Sequence, residues 1–416
     1  MTLAARSILL VAQLTPPSGL IAARRAGAFA KYLGRLGHRV TVLTSRTSGD
    51  GAIEGAAEVV RTGDALATRL NWRRRHFKSL SGGDQSGYGP PSRLETLVVP
   101  DLAVGTWLPF ALPRALSLAR REDFDVVLTT SPPQSAHLVG LALARRGLPW
   151  IAELRDGWTF EPPRAPWPSR TQRRLDAALE RRVASKANAM IGVTEPIVAD
   201  LRERLGAHAV LITNGFDPEE VPAANGVASL LDPERHSIVH TGRMEAARSS
   251  AVPLLTALRL LERESSEVAD RLEVVFAGPL STRERELLAA DDLAGLVKVV
   301  GWLERPRALA LQRAADTLLV VTEGSSRRSV ATGKVFEYLA AKRPILVLGE
   351  GTEAARIVAD AGAGTATSAS DPRAIATSLR GALEGAPEVD GRDEVLERYS
   401  HPRLVERLAE LIEEIA

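Results

Sequence analysis

The chain contains no cysteine among its 416 residues. That excludes disulfides, thiolate metal sites and cysteine nucleophiles, and is compatible with a cytoplasmic protein. No apolar run reaches the roughly 18 residues that a membrane-spanning helix needs. The opening "MTLAARSILLVAQLTPP" has too short an apolar part for a signal peptide and flows into a strand–loop–helix pattern, so a buried first strand is expected. An excess of charge of one sign is missing too. Fifty-three basic and fifty-one acidic residues leave a net charge of +2, which is no footprint for nucleic acid.

Several catalytic signatures are also absent. No G-x-G-x-x-G follows the first strand, where the loop reads "TPPSGL", so a dinucleotide site has little support. The "GK" at 333–334 lacks the Walker spacing, and there is neither H-E-x-x-H nor G-x-S-x-G. Seven scattered histidines without a cysteine give no transition-metal site.

The chain is 45% apolar and 25% charged, a soluble globular composition, and its length suits two domains. Strands are expected at 7–14, 38–45, 125–130, 149–154, 189–194 and 209–213, mostly with helical patterns between them. A Gly/Ser/Pro-rich loop covers 78–93, and a second break covers 214–236. The pattern then restarts, with strands at 237–242, 272–278, 297–302, 317–322 and 344–349. Alternating strands and helices predict two doubly wound α/β domains facing each other across a cleft, with ligands outside the carboxyl ends of the strands. The expected boundaries are 1–216 for the first domain, 217–236 for a linker and 237–397 for the second domain. The helix 401–416 is expected to return to the first.

Two helix starts in the second half suit an anion. "HTGRMEAARSS" ends the first strand there with Gly242, Arg243 and Arg248. "ATGKVFEYLA" places Thr332, Gly333 and Lys334 at another, with exposed backbone N–H groups. Lys334, Glu337, Tyr338 and Ala341 fall on one arc of that helix, and Val335, Phe336 and Leu339 on the other. The plainer reading is a surface Lys–Glu pair. The richer one has both helix starts converging on a diphosphate, with Glu337 accepting from a ribose diol. "RLNWRRRHFK" at 69–78 mixes basic and aromatic residues, either as a solvated loop or as a seat for an anionic membrane surface.

The order "PPSGLIAARRAGAFAKYLGRLGHRVTVLTS", "TTSPPQSAHLVG", "IAELRDGW", "VTEPIVADLRERLG", "ITNGFDPEE", "HTGRMEAAR" and "GKVFEYLAAKRPIL" resembles the family-four retaining glycosyltransferases. It is most similar to bacterial members that build cell-surface polysaccharides. The resemblance runs over essentially the whole chain and implies the GT-B fold. It implies that Arg243 and Arg248 bind the donor diphosphate, although the second position is normally lysine. Glu337 then matches the ribose-holding glutamate. The family's first glutamate is replaced by Ser329, with Glu323 nearby as a substitute. Trp302 and Leu303 stand where the family's backbone holds the nucleobase, and Gly19 stands in the loop that approaches the donor phosphate. Arg25 keeps the family's spacing before Gly37 and His38. His137 is expected to be a packed or acceptor-side residue, while Arg155, Asp156 and Trp158 are acceptor candidates facing the cleft.

The resemblance thus implies sugar transfer from a nucleoside diphosphate sugar, with retention, to a glycan or lipid-linked hydroxyl. Arg243, Arg248, Lys334 and nearby amides would stabilise the leaving group, with no cofactor and no metal required. The alternatives are a nucleotide-sugar 2-epimerase of the same architecture and an inactive glycan- or membrane-binding scaffold. The expected location is cytoplasmic, peripheral on the inner membrane face through 69–78.

Overall fold

Runs such as Ser7–Val11 and Thr317–Val321 are apolar at nearly every position, as strands covered on both faces require. The computed structural model describes residues 4–18, 21–65, 98–162, 166–223, 226–242, 251–280, 282–288, 293, 295–322, 327–384 and 393–416. Seven strands form the first sheet: β1 Ser7–Val11, β2 Arg39–Ser45, β3 Ala56–Thr62, β4 Val126–Ser131, β5 Trp150–Leu154, β6 Ala189–Gly192 and β7 Ala209–Leu211. Six form the second: β8 His236–Thr241, β9 Leu272–Ala277, β10 Val297–Gly301, β11 Thr317–Val321, β12 Ile345–Leu348 and β13 Gly364–Thr367. Every pairing is parallel. The strand orders are β3-β2-β1-β4-β5-β6-β7 and β10-β9-β8-β11-β12-β13, so the order reverses between β1 and β4 and between β8 and β11. Both sheets are doubly wound α/β, as expected.

Each sheet divides its strand side chains between two cores, by the two-residue alternation of a strand. In the first unit Leu9 and Val11 face the core that holds Trp107, Trp150 and Trp158. Ile8 and Leu10 face the opposite core, with Phe29 and Leu33 of the helix Ile21–Arg35. Leu404, Leu408, Leu411 and Ile412 of the last helix, His401–Ile415, complete that second core. Arg6 donates to Glu413 at 2.9 and 3.0 Å on the same helix. Among the described residues the first unit therefore comprises those up to Asn214 together with His401–Ala416, while Gly215–Ser400 belongs to the second.

Residues 217–236, read from the sequence as a linker, are instead tied to the second unit. Glu220 pairs with Arg305, the Ala223 amide donates to the Pro306 carbonyl, and Arg307 donates to the Gly226 carbonyl. Prolines and small polar residues hid these contacts, because they give a segment no periodicity to read. Two strands were not anticipated, β3 and β13. Both are edge strands: β13 reads Gly-Thr-Ala-Thr, and β3 has only Val59 and Val60 as large apolar residues among Ala, Thr, Glu and Arg.

Arg25 is a buried clamp. It reaches from the helix Ile21–Arg35 to the Glu153 carboxylate on β5 and to the carbonyls of Ile212 and Thr213 just past β7. Arg25 is 4% exposed and Glu153 is 0% exposed, so neither charge is solvated. Arg25→Met should therefore cost about 3–5 kcal/mol in urea unfolding, by leaving the Glu153 charge uncompensated. Adding Glu153→Leu should restore most of that loss. A single-mutant cost below about 1 kcal/mol would show that the pair is not holding these elements together.

Candidate active site

The strand order of the second sheet reverses between β8 and β11, and in doubly wound folds ligands collect at the carboxyl ends of strands at such a point. β8 ends there in Thr241, followed by Gly242, and the chain after β11 leads into the helix Gly333–Ala341. Gly242 adopts φ +89°, a conformation that favours glycine. A Cβ at Gly242 would lie 3.0 Å from the Lys334 Cε, so the lysine stem passes directly over the turn. Gly278, just past β9, lets the backbone close, because a Cβ there would meet the Gly242 carbonyl oxygen at 2.1 Å. The two helix-start motifs of the sequence are thus neighbours at Gly242 and Lys334.

His240, buried in β8, holds the lysine's other end. Its Nδ1 lies 2.9 Å from the Leu319 carbonyl oxygen and so must carry the proton. Its Nε2 then accepts from the Lys334 ammonium, at 3.4 Å. Thr332 precedes the helix in extended conformation without a capping side chain, and its buried hydroxyl has no partner among the described residues. Thr332 gives this helix no side-chain cap, and the helix start favours negative charge.

Further along the helix, Tyr338 is fully buried, not on an outer arc with Lys334 and Glu337 as the helical wheel suggested. The helix lies deep enough to bury both flanks, and the tyrosine hydroxyl accepts from the Thr241 amide at 2.8 Å. Burial pushes its pKa up to about 12, so it stays protonated. Glu337 turns toward another partner, with Oε1 accepting from Arg305 Nη1 at 2.9 Å. Burial opposes the Arg305 charge, but the Glu220 and Glu337 carboxylates outweigh it and raise its pKa. Gln312 links the two halves, donating to the Thr241 hydroxyl at 2.7 Å with Glu337 Oε2 at 3.4 Å. At the end of β10, Trp302 is 44% exposed, and Leu303 packs partly buried on the second unit's core.

In the first unit the acceptor candidates divide. Trp158 does not face outward as expected. It is 1% exposed, donates to Asp176 at 2.8 Å, and stacks on His137 with ring centres 5.9 Å apart. Asp176 also accepts from Trp167 at 2.9 Å. His137 is fully buried, with Nδ1 at 2.8 Å from the Thr129 hydroxyl, which also accepts from Trp150. Arg25 is the internal clamp described above. Arg155 and Asp156 remain half-buried just past β5, where Arg155 donates to the Ser131 and Pro132 carbonyls at 2.7 and 3.1 Å.

Gly19, Arg243, Arg248, Glu323 and the basic-aromatic stretch 69–78 lie outside the described residues. Ser329, in the place of the family's first glutamate, is 1% exposed. His240, Arg305, Gln312 and Glu220 were not singled out from the sequence. "HTGR" placed His240 at a strand end, but nothing in the spacing tied the other three to Glu337. Among the described residues no three His, Asp or Glu side chains are grouped to hold a metal ion, and no helix is long and apolar enough to cross a membrane.

Two parallel sheets, each with its strand order reversing at a switch point, define a protein of two Rossmann-like, doubly wound α/β domains. Residues 22–215 match the Glycosyl transferase 4-like domain, and residues 235–385 match Glycosyl transferases group 1. Together the two matches span most of the chain, which belongs to the group 1 glycosyltransferases of GT-B fold. No curated protein matches the sequence. Among solved structures it is similar to sucrose-phosphate synthase from Thermosynechococcus elongatus, at 17% identity and TM-score 0.69 over 98% of each chain. It is also similar to a trehalose-6-phosphate structure from E. coli bound with UDP-2-fluoro glucose, at 13% identity and TM-score 0.64 over 99% of each chain. A third is WaaG, a glycosyltransferase involved in lipopolysaccharide biosynthesis, at 16% identity and TM-score 0.61 over 98% of this chain and 99% of that one.

Burial, with Arg155 adding to it, takes the His137 imidazole down from 6.5 to about 3. Between those values the unfolded chain binds a proton that the native state refuses. Stability is therefore full above the unfolded value and falls as pH drops toward the folded one. His137→Gln should flatten this acid limb by about 1.4 kcal/mol per pH unit in urea midpoints taken from pH 7 to 4. An unchanged slope would mean that His137 accepts its proton in the native state.

Proposed function

We propose that the chain transfers a sugar from a nucleoside diphosphate sugar to a hydroxyl acceptor with retention of anomeric configuration. The observation that carries this reading is Lys334 crossing Gly242 at the start of the helix Gly333–Ala341, with Glu337 one turn further on. The hard step is departure of the nucleoside diphosphate. As the C1–O bond to the terminal phosphate breaks, negative charge grows on the leaving oxygen. Lys334 and the amides at Thr332–Gly333 meet that charge in a partly dry site, together with Arg243 and Arg248. The acceptor oxygen bonds to C1 on the same face, and its proton passes to the departing phosphate oxygen. Cations and amides balance the charge, so no step is assigned to a metal.

Glu337 accepts from the ribose hydroxyls, and the backbone at Trp302 and Leu303 meets the base. The UDP-sugar in the E. coli neighbour supports a donor of this class. The lipopolysaccharide role of WaaG supports a glycan or lipid-linked acceptor. Arg155 and Asp156, at the end of β5, are the candidates nearest that acceptor. Such an acceptor suits an enzyme of the cytoplasm that meets the inner membrane face through 69–78.

A panel of UDP-, GDP-, dTDP- and ADP-sugars, scored by thermal shift and slow hydrolysis, identifies the donor. With that donor, Lys334→Ala should lower kcat by about 10²–10³ and nucleoside diphosphate affinity by much less. Glu337→Ala should weaken nucleoside diphosphate binding by about 1–3 kcal/mol in isothermal titration. Parental kinetics in the first variant and parental affinity in the second would return both residues to the role of surface charges.

A further inference from the structure

Arg305 stands in the first turn of the helix Arg305–Ala314, the end at which the helix dipole disfavours a cation. Two carboxylates offset that position. Glu220 takes a two-pronged hydrogen bond from Arg305, to Nε at 2.6 Å and to Nη2. This fork fixes the plane of the guanidinium and leaves the Nη1 edge aimed at Glu337 Oε1, 2.9 Å away. Arg305 and Glu220 are 24% and 32% exposed in their side chains, and Glu337 is 15% exposed, so water screens the assembly only in part. Glu337 lies in the middle of the helix Gly333–Ala341, and its carboxylate meets a donor whose orientation is set without it.

From this geometry we infer that Arg305, oriented by Glu220, is a positioning residue that holds the Glu337 carboxylate in the rotamer that reads the ribose diol. The inference rests on the ribose role given to Glu337 above, and names the device that makes the role selective. A carboxylate has about four lone-pair sites. Arg305 engages Oε1 from one side, and Gln312 approaches Oε2 at 3.4 Å, longer than an ordinary hydrogen bond. The carboxylate is thereby held in one orientation. Lysine at position 305 could supply charge but not the fork.

The readout is the ratio of dissociation constants between a nucleoside 5′-diphosphate and its 2′,3′-dideoxy form. It is measured by isothermal titration on the full chain, with whichever of UDP, GDP or ADP binds most tightly. The parent should discriminate by about tenfold or more. Arg305→Met should bring the ratio below about threefold while affinity for the dideoxy form stays at the parental value. Glu220→Gln, which loosens the fork but touches neither Glu337 nor nucleotide, should move the ratio the same way by a smaller factor. Arg305→Lys should fall between. A purely structural role would weaken both nucleotide forms equally and leave the ratio intact, which overturns the inference. If Glu337→Gln abolishes discrimination while Arg305→Met and Glu220→Gln retain it, Glu337 reads the ribose without this clamp. If Glu337→Gln itself discriminates as the parent does, the ribose reading fails and the inference with it.

Discussion

The hydrogen bond from the Thr241 amide to the Tyr338 hydroxyl joins the end of β8 to the helix that follows β11, at 2.8 Å. Without it, that amide would be a buried donor at the end of its strand. The tyrosine can reach it because the helix lies deep, with Val335, Phe336, Tyr338 and Leu339 all buried. Once these two elements are pinned, the first turn of the helix has little choice of place. Lys334 must lie over Gly242, and Glu337 must point along the flank shared with the helix Arg305–Ala314. The hydroxyl stays protonated at any ordinary pH, since burial raises its pKa to about 12.

Local preferences are set aside at several points around this junction. Gly242 takes a left-handed conformation, Arg305 occupies the wrong end of a helix, and Thr332 precedes a helix without capping it. Such conflicts gather at functional sites, where the surrounding structure compensates for them. The compensation here is visible in named contacts: Gly278 permits the close approach, and Glu220 and Glu337 balance the arginine. In the first unit Arg25 pairs with Glu153, and two tryptophans donate to Asp176.

Much of this was readable in the sequence, and the limits follow from physics. Central parallel strands must be apolar on both faces, so β1, β4, β5, β8, β9, β11 and β12 announce themselves as runs. Edge strands carry no such demand, and β3 and β13 passed unseen. Lys334 and Glu337 could be found because helix spacing and a glycine before them are local signals. Their partners could not. His240 and Arg305 come from other strands and helices, and the Glu220 that orients Arg305 sits in a stretch with no periodicity. A helical wheel also assumes one buried face, so it misplaced Tyr338, and a strand-end motif misplaced Trp158. Both errors arise where an element is covered on more sides than its pattern alone can tell.

The central claim is that the turn at Gly242 and the start of the helix Gly333–Ala341 form the donor diphosphate site. A crystal structure of the chain with its tightest-binding nucleoside diphosphate tests it most directly. The account predicts a terminal phosphate oxygen within about 2.7–3.2 Å of Lys334 Nζ and of a first-turn amide, with the ribose hydroxyls on Glu337. A nucleotide bound with its phosphates away from Lys334, or with its ribose turned from Glu337, would contradict it.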